Sequence, residues 1–332
     1  MLYFILLIIL LITIFTYITH YSVFSSSKNS VEKKYIKWID FSVKYNVLVD
    51  TASLDISSHI NNEKIKYNWI ELLAYLACKY GGNFNLYKKS DLTALIDKIN
   101  SENNMEDLSK NLKNFSYYFE SFSAVLGEFI GEYEIQDSNK NFQKKYGVKA
   151  FCPIAQNYSF SHYDDFGASR SYGYKRTHLG NDLMGSIGTP VIAVESGYIE
   201  AIGWNQYGGW RIGIRSFDKK RYYYYAHLRK DHPYAEDMYE GKIIKAGDVI
   251  GYLGMTGYSN KENVNNINVP HLHFGIQIIF DEVQKDGVNQ IWIDVYQIIE
   301  FLKKYRSEVY LANPETRDFE RKYDFMEESL WE

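Results

Sequence analysis

The chain has 332 residues, 46% of them hydrophobic and 17% aromatic, with a formal net charge of −4. That is enough apolar material for two domains of ordinary size, which excludes a disordered chain. No block of lysine and arginine stands out, so nucleic acid is excluded as a partner on electrostatic grounds.

Met1 to Thr19 carries no charged side chain and reaches the lower end of the length that spans a bilayer. Residues 1–24 are therefore expected to form a transmembrane anchor, with a cleaved signal segment as the alternative because Ser25-Ser26-Ser27 supplies small residues. Lys28, Lys33, Lys34 and Lys37 follow the span and nothing basic precedes it. The positive-inside rule alone would keep the rest of the chain in the cytoplasm, but a long following domain can translocate regardless of charge.

Residues 25–135 read as a small helical domain. Asn68 followed by Glu71 resembles a capping box, Trp69 to Tyr80 is apolar enough for a packed helix, and Gly81-Gly82 is a natural stop. Cys78 lies in this helix; it and Cys152 lack a CxxC partner, and read either as a disulfide or as two free buried thiols. Leu108, Leu112, Phe115, Phe119, Phe122, Leu126 and Phe129 recur at steps of four and three, which predicts one long amphipathic helix over 105–133. Its apolar seam would pair with the 69–80 helix in a bundle, or with a second copy. The polar run from Gln136 to Tyr146 predicts a linker over 136–149.

All five prolines and 17 of the 22 glycines follow residue 150, so the chain changes class there. Short β-type runs separated by turns appear at Val191–Val194, Tyr198–Ile202, Trp210–Arg215, Arg221–His227, Val249–Leu253 and His271–Ile279. None of the connections holds a crossover helix, which predicts an antiparallel sheet. Tyr222 to Tyr225 would place tyrosines on both faces of one strand, either as packing or as a sugar-stacking platform. Ile291 to Tyr305 returns to helical spacing, and residues 311–332, with Asp324, Glu327, Glu328 and Glu332, read as an acidic, solvated tail. The fold class is α+β, with a second domain over 150–310.

Four histidines fall in three short motifs: His178-Leu-Gly-Asn-Asp182, Tyr225-Ala-His227-Leu228 and His271-Leu-His273. Zinc takes imidazole nitrogens and carboxylate oxygens in a tetrahedral site, and a catalytic site keeps the fourth position open. Two histidines and one aspartate satisfy that. In a strand, His271 and His273 point to one side, so one can hold metal while its neighbour handles protons. His178 and Asp182 are four apart, but Gly180 and Asn181 between them argue for an extended or looped segment.

This order of motifs resembles the M23 family of zinc peptidases, the lysostaphin-like or LytM-like peptidoglycan hydrolases. Gly185-Ser-Ile-Gly188-Thr-Pro190-Val-Ile-Ala193 and Gly247-Asp-Val-Ile-Gly251 resemble the family's glycine-punctuated turns. The resemblance implies that His178, Asp182 and His273 bind one zinc ion and that His227 and His271 act on the substrate. It implies cleavage of peptide bonds in peptidoglycan, in the stem peptide or a cross-bridge, outside the membrane. The helical region lies outside the resemblance and could hold an envelope protein partner.

Other readings stay open. The same β-domain could serve as a non-catalytic envelope scaffold. An anchored muramidase would need a catalytic glutamate in the helical region, where Glu71 is available. His162 beside Asp164 and Asp165 is a group near the metal, a second metal site, or part of a solvated loop. Lys175-Arg176 reads as an exposed basic pair or as a contact for acidic groups of the substrate. Trp204 to Tyr207, and the long segments Lys230–Tyr239 and Tyr258–Val269, are expected near the groove wall. His59 and His232 carry no functional case.

Overall fold

The computed structural model describes residues 36–330 apart from 103, 173 and 288. The expected anchor over 1–24 lies outside the described residues. Among those described, no helix is long and apolar enough to cross a membrane.

Five helices come first: α1 (Tyr45–Ile60), α2 (Trp69–Tyr80), α3 (Lys89–Glu102), α4 (Met105–Ser109) and α5 (Phe115–Leu126). The Asn68 side chain accepts hydrogen bonds from the amides of Ile70 and Glu71 at 2.9 and 3.2 Å, satisfying two of the donors that a helix start leaves open. α2 runs to Gly81 as its sequence predicts. Phe122 of α5 is buried, with the rings of Phe41, Phe84 and Tyr118 about it. The apolar seam is thus used inside a bundle.

The single helix expected over 105–133 is instead α4, α5 and the start of a strand. Asn111 and Asn114 favour turns over helix interiors. The amide of Leu112 bonds to the Ser109 carbonyl and that of Phe115 to Leu112, tight turns that break the α-helical ladder while keeping the apolar spacing. After Gly127 the chain enters β1 (Ile130–Gln136), which pairs antiparallel along its whole length with β2 (Phe142–Val148). The expected linker over 136–149 is therefore a hairpin. Its polar residues form the turn, where the Asp137 carboxylate accepts from the amides of Asn139 and Asn141.

The main sheet is made of β3 (Ser161–His162), β6 (Asn181–Met184), β8 (Gly197–Asn205), β9 (Gly209–Ser216), β10 (Arg221–Ala226), β11 (Ile243–Ile244) and β13 (His271–Ile278). Their order across it is β11-β8-β9-β10-β13-β6-β3, all antiparallel. Two short ribbons flank it, β4 (Ser169–Tyr172) with β5 (Tyr174–Thr177) and β7 (Pro190–Ile192) with β12 (Val249–Tyr252). The runs of β-type residues are strands, as their composition predicts. The helix expected over 291–305 is shorter: Ile291–Ile293 form β14 on the edge of β13, and only Tyr296–Leu302 is helical, as α6. Ile291 and Ile293 are both buried, a period of two that a helix would not keep.

Residues 311–330 are not a solvated tail, and the last two residues of the expected tail lie outside the described residues. β15 (Val309–Asn313) and β16 (Asp318–Arg321) form a hairpin, and β17 (Phe325–Met326) adds to β1. Phe325 is fully buried, Glu327 pairs with Lys149 at 2.6 Å, and Asp324 pairs with Lys245 at 2.8 Å. The acidic residues find lysines elsewhere in the fold, which composition alone could not reveal.

Alternation along β10 divides the tyrosine run. Tyr223 and Tyr225 are fully buried on the core face with Arg221, and Tyr222 and Tyr224 lie on the other. Arg221 is itself wholly buried and grips the Glu195 carboxylate at 2.7 and 3.0 Å. Its remaining nitrogen donates to the Ala124 carbonyl near the C-terminus of α5 at 2.7 Å, where a cation also suits the helix dipole. Stacking of Trp69 on Phe301 and a hydrogen bond from the Tyr45 amide to Gln297 tie α2 and α1 to α6. Glu195→Gln is expected to lower stability by about 2–3 kcal/mol in urea unfolding, because the buried guanidinium keeps only the Asp218 carboxylate, at 3.0 Å, in place of two. The double variant Glu195→Leu, Arg221→Met removes the buried pair together and should recover part of that loss, the remainder reflecting an unpaired Asp218.

Candidate metal centre and active site

The site is built on β13, which lies between β10 and β6. The register sets His273 opposite Asp182 on one side and opposite Ala226 on the other. Directly paired residues share a face, so Asp182 and His273 project together, and His271 two positions earlier joins them. His178 arrives from the loop after β5. That loop crosses β13 closely: a Cβ at Gly180 would lie 2.6 Å from the Phe274 carbonyl oxygen and 2.8 Å from His273 Cε1. Only glycine fits there. Asn181 pins the next turn, donating to the Tyr163 carbonyl and accepting from the Val295 amide, both at 3.1 Å.

Three donor atoms converge. His178 Nε2 lies 2.8 Å from His273 Nδ1 and 3.1 Å from Asp182 Oδ1, and His273 Nδ1 lies 3.2 Å from the same oxygen. Bonds of about 2.0–2.1 Å in a tetrahedral site imply ligand separations of about 3.3 Å, so the spacing suits one small divalent ion. Burial lowers the pKa of His273, which favours the neutral, metal-ready imidazole. Burial works against ionisation of Asp182, yet hydrogen bonds to His178 and His273 hold its carboxyl well below the usual carboxylate range.

A surrounding shell orients these groups. His178 Nδ1 donates to the Asp165 carbonyl at 3.0 Å, which leaves the Nε2 lone pair free to face the site. The Arg170 guanidinium bridges the Asp165 carboxylate and Asp182 Oδ2, at 3.2 Å from the latter, on the oxygen that the donor cluster does not use. Neither Arg170 nor this use of Asp165 was legible in the sequence, because only the β4–β5 ribbon brings them to the site and no motif marks them.

The two remaining histidines face the same space. His227 Nδ1 bonds to the Thr256 carbonyl and His271 Nδ1 to the Val269 carbonyl, each at 2.8 Å, so in both rings Nε2 is the free nitrogen. His271 Nε2 lies 3.6 Å from Asp182 Oδ1, and the His227 ring is 4.8 Å from that of His271. Burial pushes the His227 pKa well down, keeping it neutral at pH 7. His227 also has a left-handed backbone, φ +62°, a conformation that non-glycine residues hold at some cost and that clusters at functional sites.

The cluster opens into a groove of about 810 Å³ whose walls include Arg176, Tyr207, Tyr224, Tyr258 and Trp292. The Arg176 guanidinium lies over the rings of Tyr207 and Tyr258, whereas Lys175 is exposed. Of the two long segments, Tyr258–Val269 lines the groove, and Lys230–Tyr239 packs on β12 through a Tyr234–Gly251 bridge. His162 is no part of the centre: it stacks on Tyr296 at 4.4 Å and bonds to Glu300, and burial brings its pKa down to about 4. Glu71 borders a small cleft that no other carboxylate lines among the described residues, so the two-carboxylate chemistry of a muramidase finds no partner among them. Cys78 and Cys152 are both free, His59 stacks on Tyr146, and His232 pairs with Asp318.

Residues 176–289 match the sequence pattern of Peptidase family M23, a span that contains His178, Asp182, His227, His271 and His273. The catalytic domain of lysostaphin from Staphylococcus simulans is 35% identical over 36% of this chain and 80% of that one, with a TM-score of 0.30. The segment 176–289 is a Peptidase family M23 domain. The L-Ala--D-Glu endopeptidase of Bacillus subtilis is 38% identical over 131 residues, 39% of this chain and 38% of that protein. This chain thus spans well under half of that relative's length. The crystal structure of lytM from Ruminococcus gnavus, 22% identical, superposes with a TM-score of 0.50 over 80% of this chain and 97% of the other. A match of that extent exceeds the β-rich part, 130–330, so the helix-plus-sheet arrangement recurs in that fold. Replacing Arg170 by Met is expected to weaken the affinity of the candidate site for a divalent metal roughly 10- to 100-fold in chelator competition with the fold retained by circular dichroism; unchanged affinity would show that the bridge to Asp182 is incidental.

Proposed function

We propose that this chain is a zinc-dependent endopeptidase that hydrolyses peptide bonds of peptidoglycan at the cell envelope. The observation that carries the reading is the convergence, in one open groove of an M23 domain, of a His178–Asp182–His273 donor set with two imidazoles whose free nitrogens face it. Relatives named as endopeptidases of L-Ala–D-Glu or lysostaphin type support peptidoglycan as the substrate class.

In this reading His178, Asp182 and His273 hold the zinc ion, which when bound polarises the scissile carbonyl and acidifies the attacking water. His271 takes the water proton through Nε2, because that atom is free and lies beside the donor set. The proton then goes to the leaving amine. His227, kept neutral with its Nδ1–H committed to Thr256, presents Nε2 as an acceptor and is the alternative group to take the water proton. The Arg170–Asp165 pair holds Asp182 and His178 in place throughout.

Peptidoglycan lies outside the membrane, so the domain acts on the outer side, with residues 1–24 proposed as the anchor on the strength of their uncharged apolar run. Alkaline phosphatase fused after Glu132 should be active in intact cells; an inactive fusion, with a fluorescent cytoplasmic reporter at the same point, would reverse the orientation. The central test is digestion of purified peptidoglycan by residues 25–332 with fragments read by mass spectrometry. Wild type should release peptide-cleaved fragments, His273→Ala should lose zinc and activity, and His271→Ala should keep zinc and lose at least about 10²-fold in rate. Zinc-loaded wild type that cleaves nothing would defeat the reading.

A further inference from the structure

The groove floor is a row of residues set by strand register. Asp182 pairs with His273 and His273 with Ala226. Tyr225 pairs with Ile212, and continuing that register by one residue sets Arg211 beside Ala226. Asp182, His273, Ala226 and Arg211 therefore stand in line across four adjacent strands, on one face. Neighbouring strands lie about 4.8 Å apart, so the Arg211 backbone is about 10 Å from that of His273, with only a methyl group between them.

The surroundings leave this arginine unusual. Ile212 and Ile214 of the same strand point into the core, fully buried, while Arg211 points into the groove and lines it. Gly213, its neighbour on the groove face, has no room for a side chain because the Tyr222 ring lies against it. Tyr222 and Tyr224 form the adjoining wall, and Trp292 stands 6.2 Å from Tyr224. Other cations of the groove are engaged: Lys285 pairs with Glu200, Arg170 with Asp165 and Asp182, and Arg176 covers two tyrosine rings. Arg211 Nη1, by contrast, is shielded from solvent and has no hydrogen-bond partner among the described residues. A shielded guanidinium nitrogen without an acceptor is costly unless a ligand supplies one.

We propose that Arg211 is a specificity residue that receives a carboxylate carried by the peptide next to the bond being cut. This rests on the endopeptidase reading above and narrows it to acidic peptides. A guanidinium matches a carboxylate in planarity and charge, with two parallel N–H donors. The reach fits as well. A scissile carbonyl beside His273 puts an adjoining residue one strand spacing away, over Ala226, and the Arg211 side chain covers the rest. The aromatic walls flank the peptide backbone on the same side. A glycine-only cross-bridge offers nothing to this group within its chain, whereas a stem peptide containing glutamate does.

The test compares two soluble zinc-enzyme substrates that differ only in a glutamate carboxylate or its amide beside the cleaved bond. Wild type should favour the acid by roughly 10- to 100-fold in kcat/KM, the range expected of a charge-assisted hydrogen bond. In Arg211→Gln the ratio should fall to near 1, and in Arg211→Lys it should be intermediate, because charge survives but the bidentate geometry does not. Zinc content reports whether each variant is folded. Equal rates on both peptides by wild type, or an acid preference that survives in Arg211→Gln, would overturn the proposal. If wild type cleaves neither peptide, calorimetry on the same pair separates the two ideas. Arg211-dependent preference for the acid in binding keeps this assignment while the endopeptidase reading falls, and binding without that preference removes both.

Discussion

The whole centre depends on the register of β13 against β6. With a pleat of period two, a slip of one residue would send His271 and His273 into the core and bring Leu272 to the groove. What prevents the slip is apolar: Leu272, Phe274, Ile276 and Ile278 are fully buried on the opposite face, and moving them to water would cost several kcal/mol. The candidate metal donors are thus placed by residues on the opposite face of the strand. Gly180 then completes the set, since it lets the His178 loop lie directly on the strand.

The same alternation produces the groove. On β10 it separates core tyrosines from wall tyrosines, and on β9 it separates buried isoleucines from Arg211. A glycine beside Arg211 lets the Tyr222 ring lie flat against the sheet, so aromatic residues line the depression without filling it. The candidate catalytic and recognition groups therefore share one rigid surface, in which no hinge is needed to bring them together.

How much of this was legible in the sequence follows from the range of each signal. The histidine motifs were legible because each is local and their combined order is rare. The strands after residue 190 were legible because β-type runs and turn residues alternate there. The break at Asn111 to Asn114 was not, because the apolar spacing continues through it and only the backbone turns. The β1–β2 hairpin and the C-terminal strands were misread for one reason. Polar composition describes equally a linker and a turn, and the lysine partners of Glu327 and Asp324 lie far away in the chain. Arg170 and Arg211 carry no motif at all; the first depends on a ribbon docking and the second on counting register across the sheet.

The Arg221–Glu195 contact has a topological meaning for the helices. It ties α5 to the sheet on the face opposite the groove, through residues of β10 that point away from Tyr222 and Tyr224. At this junction the helices stand behind the sheet as a backing. They leave the mouth of the groove clear, and for α5 to act as a shutter, its Ala124 carbonyl would first have to abandon a fully buried charge.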